Sequence, residues 1–143
     1  MNLRRLVEQL KEDEGYRGWS YFDNDQHSWG FGTKAPGPDR YINKEAAEIE
    51  LWQRAALAIR DYYIVFRYTV AEINDCRQEA FANMLYNLGL TKFVKFRNML
   101  AAVDAGAWHE VSAQAKDSRW YKQVGKRAER IVNELMTGKK EVI

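Results

Sequence analysis

Glu14 and Asp23 are two carboxylates with eight residues between them. Cleavage of a glycosidic bond needs such a pair across a gap. One carboxyl stays protonated as general acid; the other stays ionised. Leu3, Leu6, Val7 and Leu10 follow the i, i+3, i+4, i+7 template of an amphipathic helix, and Gly15 is a natural stop after it. Glu14 then falls on the last helical turn, where the macrodipole disfavours an anion and favours the protonated form. Asp23 falls in a hairpin turn beside Asn24 and Asp25, a polar setting that favours the ionised form. Taken alone, Glu14 also reads as one of four consecutive charged residues, Lys11 to Glu14, on a solvated helix end.

The elements that must hold these residues follow from local signals. Tyr21-Phe22, Asn24-Asp25-Gln26 and His27 to Thr33 read as strand, turn, strand. In the second strand Trp29 and Phe31 share one face, and Ser28, Gly30 and Gly32 the other. A face so bare of side chains lets a backbone or a ligand come close. Ala35-Pro36-Gly37-Pro38 is a loop. From Asn43, a good N-cap, to about Phe66 nothing breaks a helix, which at 1.5 Å per residue runs roughly 35 Å. Beyond Thr69 the chain reads helical. Asn74 caps a helix to Leu88 ended by Gly89, and further helices fit about 91–104, 108–117 and 126–136. The expected class is α+β, mostly α, in one domain over 1–143. A small N-terminal β-hairpin lobe covers 13–42, a long connecting helix 43–67, and a helical C-terminal lobe 70–138.

Composition excludes several classes. The 143 residues are 46% hydrophobic and 29% charged, which is globular rather than disordered. A single cysteine, Cys76, excludes an intrachain disulfide and a cysteine-rich metal site. His27, His109 and Cys76 have no usual zinc spacing. Asp23-Asn24-Asp25 starts like a calcium loop but has Ser28 and Lys34 where that loop needs Gly and Glu. No metal or organic cofactor is expected. The charged segment Met1 to Glu8 has no apolar core of a secretory signal, so a cytosolic product is expected. The net charge of +2 conceals an asymmetry: residues 1–75 carry 10 basic and 13 acidic groups, residues 76–143 carry 12 and 7. The basic stretch Lys116 to Arg130 suits an anionic polymer. Nucleic acid is not the expected partner, since no helix-turn-helix, RNA-recognition or zinc-finger pattern is present.

Glu14-Gly15, Tyr21, Asp23, Ser28 and Gly30-Phe31-Gly32 resemble the active-site segment of phage-type lysozymes, the T-even type of glycoside hydrolase family 24. Arg77 to Gly89 looks like that family's central buried helix, and Ser118-Arg119-Trp120-Tyr121 with Arg127-Ala128 and Arg130 looks like its C-terminal signature. The landmarks keep the family's order from residue 3 to about 138. The resemblance implies a lysozyme-like fold, with Glu14 as general acid, Asp23 as second carboxylate, and Ser28 where the family has its catalytic Thr. A hydroxyl there donates and accepts, and so holds the attacking water. Arg127 matches the arginine that pairs with the catalytic Glu, and Arg130 the one that pairs with the preceding acid, Asp13. Gly32 and Thr33 line the upper substrate cleft, Tyr86 and Asn87 the lower.

Four departures stand out. Asp23 to Ser28 is one residue shorter than usual, the hydroxyl is Ser rather than the stiffer Thr, Gln26 stands where Gly is common, and Thr33 replaces a frequent His. The expected function is that of an endolysin muramidase, monomeric and inverting. It would cut the β-1,4 bond between N-acetylmuramic acid and N-acetylglucosamine, with a carboxyl separation of about 6.5–9.5 Å. It would wait in the host cytoplasm for a holin, without stable membrane insertion. The alternatives are a lytic transglycosylase using Glu14 alone and a non-catalytic wall-binding module.

Overall fold

Local signals set the ends of the first helices. In the computed structural model, which describes residues 1–141, α1 (Leu3–Glu14) buries Leu6, Val7 and Leu10 and ends where the Gly15 N–H reaches the Lys11 carbonyl at 3.0 Å. α2 (Lys44–Val65) starts at Asn43, whose Oδ1 accepts from the Ala46 N–H at 2.8 Å. α3 (Asp75–Leu88) starts at Asn74, whose side chain accepts from the Arg77 N–H at 3.0 Å, and Gly89 follows it.

Between α1 and α2 lies a three-stranded antiparallel sheet in the order β1 (Arg17–Asp23), β2 (Gln26–Gly30), β3 (Thr33–Lys34). The span expected as one strand from His27 to Thr33 is therefore two. Gly30 and Gly32 take φ of +60° and +80°, which turns the chain back on itself so that Trp29 pairs with Thr33. The first turn is also tighter than expected. Asp23 pairs with Gln26, leaving Asn24-Asp25 as a two-residue connection with Asn24 at φ 59°.

The remaining helices are α4 (Leu90–Phe93), α5 (Arg97–Asp104), α6 (Trp108–Lys116), α7 (Arg119–Val124) and α8 (Lys126–Thr137). The helix expected over 91–104 is broken at Val94–Phe96, and α7 is an additional short helix capped by Ser118, whose Oγ accepts from the Tyr121 N–H at 3.1 Å. Eight helices and one small sheet among the described residues make the fold α+β, mostly α and lysozyme-like, as the sequence implied.

The chain forms two compact units, and the division falls inside α2. One is Leu3–Leu57. Its core includes Leu6, Val7, Leu10, Phe31, Ile42, Ala47, Leu51 and Ala55, and a Lys11–Glu48 ion pair at 3.4 Å ties α1 to α2. The other comprises Met1–Asn2 and the chain from Ala58 onward. Its centre is a ring cluster of Tyr62, Phe66, Phe81, Phe93 and Trp108, with centroids 4.9–6.5 Å apart. Arg77 lies 4.1 Å over Trp108 and donates to the Leu135 and Met136 carbonyls at 2.7 and 2.8 Å, capping the end of α8. Two distant segments reach the start of α3. The Met1 ammonium is 3.5 Å from Asp75, and Asn74 Nδ2 donates to the Gly138 carbonyl at 3.0 Å. Lys140 pairs with the buried Glu79 at 3.4 Å.

Candidate functional site

Glu14 is the last residue of α1 and is half-buried. Its carboxylate lies against Gly32. A Cβ built on Gly32 would overlap Glu14 Oε2 and stand 2.9 Å from Cδ. The bare glycine lets the turn after β2 close on the carboxylate without pushing it aside. The same turn rests on α2, because a Cβ on Gly30 would come within 3.1 Å of Ala47 Cβ. The bare strand face read from the sequence is thus used twice, once by a helix and once by Glu14.

The hairpin sets the other candidates by register. Opposed residues share a face of the sheet, so Tyr21 with Ser28 and Asp23 with Gln26 lie on one face, while Phe22 and His27 lie on the other. His27 packs edge-on to Phe22 at 5.3 Å, turned away from the Ser28 side. Asp23 is exposed and Ser28 is buried, at 1%. Tyr21 lies on the same face as Asp23 and Ser28. Burial raises its phenol above the ordinary value, the negative charges of Glu14 and Asp23 raise it further, and Arg17 opposes them with its guanidinium 3.7 Å from the Tyr21 ring centre. One side chain therefore senses both Glu14 and Asp23.

Thr33 is buried, and its hydroxyl donates to Glu50 Oε1 at 2.6 Å; the same oxygen accepts from Trp29 Nε1 at 3.0 Å. Glu50 escaped the sequence reading because it looks like any acid on the outer face of a long helix. Its partners lie 17 and 21 residues away, and no local signal announces them.

In the other unit, Asn87 Oδ1 accepts from Trp120 Nε1 at 2.8 Å, and Asn83 Oδ1 accepts from Arg127 Nε at 3.0 Å. Tyr86 is buried at 2%. α7 delivers Trp120 to Asn87, and α8 delivers Arg127 to α3, so the Ser118–Arg130 signature is organised around the α3 segment Asn83–Asn87. Arg130 sits 3.8 Å from the buried Glu134 on its own helix. Cys76 is half-buried, and burial raises its thiol with Glu134 adding to the effect, so it carries no activated thiolate. Among the described residues, no three His, Cys, Asp or Glu side chains gather as a metal site would need.

The family model described as phage lysozyme matches residues 11–136. The pre-baseplate central spike protein Gp5 of Enterobacteria phage T4 is 26% identical over an alignment covering 95% of this chain and 28% of that protein. Probable T4-type lysozymes 2 and 1 of Dictyostelium discoideum are 32% and 26% identical, over 43% and 46% of this chain and 36% and 39% of their own. The matched part thus spans about a quarter to two-fifths of these relatives' lengths. The family match runs from the turn of α1 that carries Glu14 to the last turn of α8, and the chain belongs to the phage lysozyme family.

Proposed function

We propose that the chain is an endolysin muramidase. It hydrolyses the β-1,4 bond between N-acetylmuramic acid and N-acetylglucosamine in peptidoglycan and serves host cell lysis. The observation that carries the reading is the Glu14 carboxyl, held at a helix end against a glycine turn, with Tyr21 sensing both it and Asp23. Glu14 protonates the leaving oxygen. Asp23 and Ser28 hold water for attack on the opposite face of the sugar, the inverting course. Gly32, Thr33, Tyr86, Asn87 and Arg127 are assigned glycan contacts, Thr33 through its backbone because its hydroxyl is committed to Glu50. No cofactor takes part. The enzyme works as a monomer, stored in the host cytoplasm until a holin admits it to the wall, and it binds neither nucleic acid nor membrane stably.

Digestion of purified peptidoglycan, with mass spectrometry of the products, tests this. Wild type should release reducing muramic acid ends, and Glu14→Gln should lose about 10²–10⁴-fold in rate. Products with 1,6-anhydro ends, or activity that survives Asp23→Ala, establish the lytic transglycosylase instead. The name of the phage T4 relative, a central spike protein, favours a second reading: a wall-binding or structural module of a phage particle. Glu14→Gln that clears permeabilised cells as well as wild type, or wild type that clears none, establishes that one.

A further inference from the structure

We propose that Glu50 is a positioning residue for the reaction at Glu14. Its carboxylate fastens both ends of the Gly30-Phe31-Gly32 turn and so fixes the wall against which the acid sits. The inference rests on the hydrolysis proposed above.

A single oxygen, Glu50 Oε1, accepts from Trp29 Nε1 at 3.0 Å and from Thr33 Oγ1 at 2.6 Å. Trp29 and Thr33 are the register partners that open and close the turn, so one acceptor clamps its two feet. The turn needs such a clamp. Two of its three residues are glycines at positive φ, with the freedom to relax elsewhere. Only Phe31 between them carries a side chain; it is buried at 3%, with its ring 5.8 Å from that of Tyr16.

α2 holds the turn at two points on one face. Ala47 packs under Gly30, and Glu50, three residues later, takes the polar contacts. On its other side the turn presents Gly32 to the Glu14 carboxylate, which an added carbon would push aside. Motion of the turn is therefore passed directly to Glu14. Glu50 meets the turn's ends, so it acts through the turn. Gln offers a carbonyl oxygen with two lone pairs at the same place and keeps both bonds. Ala leaves the Trp29 indole N–H without this acceptor, and the Thr33 hydroxyl with only the Trp29 carbonyl at 3.5 Å.

The test measures kcat and KM for reducing-end release from solubilised peptidoglycan strands, with thermal unfolding of each variant. Glu50→Ala and Thr33→Val should lose about tenfold or more in kcat with KM within about twofold, as loosened positioning of a reacting group predicts. Glu50→Gln and Thr33→Ser should keep about a third or more of wild-type kcat. If Glu50→Ala does not fold, the Thr33 pair decides alone. A folded Glu50→Ala or Thr33→Val with wild-type kcat, a loss confined to KM, or a loss that the conservative partner fails to restore overturns the proposal. Glu14→Gln run alongside separates the two failures. An inactive Glu14→Gln beside a fully active Glu50→Ala rejects the clamp alone, whereas an active Glu14→Gln rejects the hydrolytic reading on which it rests.

Discussion

Replacing Gly32 by alanine puts a methyl group where the Glu14 carboxylate now lies. The added carbon would overlap Oε2 and stand 2.9 Å from Cδ. Ordinary contact begins near 3.5 Å, so the carboxylate must retreat by roughly 0.5–1 Å. A misplacement of about 1 Å costs on the order of 10²-fold in rate, or about 2.7 kcal/mol of barrier. A second cost falls on stability. Gly32 has φ +80°, where a side chain adds about 1–2 kcal/mol, lowering Tm by about 3–7 °C for a chain of this size. Gly106→Ala separates the two effects. Gly106 also has positive φ, +66°, but a Cβ there meets nothing within 4 Å. Both variants should lose similar stability, and only Gly32→Ala should lose activity, by about 10²-fold in peptidoglycan digestion at equal folded concentration. A Gly32→Ala protein as active as Gly106→Ala refutes the reasoning that the turn sets the position of Glu14.

Three further outcomes are expected. Ser28→Ala should fold with little change in stability, because the smaller side chain leaves almost no void, yet lose about 10–10²-fold in kcat if the hydroxyl holds water with Asp23; unchanged turnover removes Ser28 from the mechanism. Arg77→Ala should lose about 2–4 kcal/mol in urea unfolding, since it removes two charge-assisted bonds to the end of α8 and the contact over Trp108. A loss under about 1 kcal/mol rejects that capping role. Burial raises the Glu134 carboxyl above its usual range, against Lys140 and Arg130, which lower it. The native state then holds this proton more readily than the unfolded chain. Its contribution is fully present below the ordinary carboxylate value and is lost as pH rises through the raised one. Unfolding at a series of pH values should show Glu134→Gln gaining on wild type from acid to neutral, and a difference that is flat or reversed with pH contradicts the assignment.

The sequence reads well where a signal is local and poorly where the partner is distant. Asn43 and Asn74 cap the helices they were expected to cap, and Gly15 and Gly89 end the helices they were expected to end, because a cap is a bond over three or four residues. The division into β2 and β3 was missed because alternation assumes extended backbone, and Gly30 and Gly32 leave it without changing the pattern of side chains. α7 has six residues, too few for a helical period to show. At the candidate site, the order of Glu14, Asp23, Ser28 and Gly32 was legible, because all four lie on one continuous segment. The hold of Glu50 on Trp29 and Thr33, and the bonds of Asn83 and Asn87 to Arg127 and Trp120, depend on helices meeting far along the chain. No spacing rule reports such encounters.

The two contacts at the first turn of α3 bear on the order in which this unit comes together. Met1 lies 3.5 Å from Asp75, and the Gly138 carbonyl accepts from Asn74, so segments more than sixty residues from α3 in either direction are fastened to neighbouring residues. Contacts of such long sequence separation cost loop closure before they stabilise anything, and they slow folding. Asn74→Ala should therefore speed unfolding more than it slows refolding, since these fastenings close last.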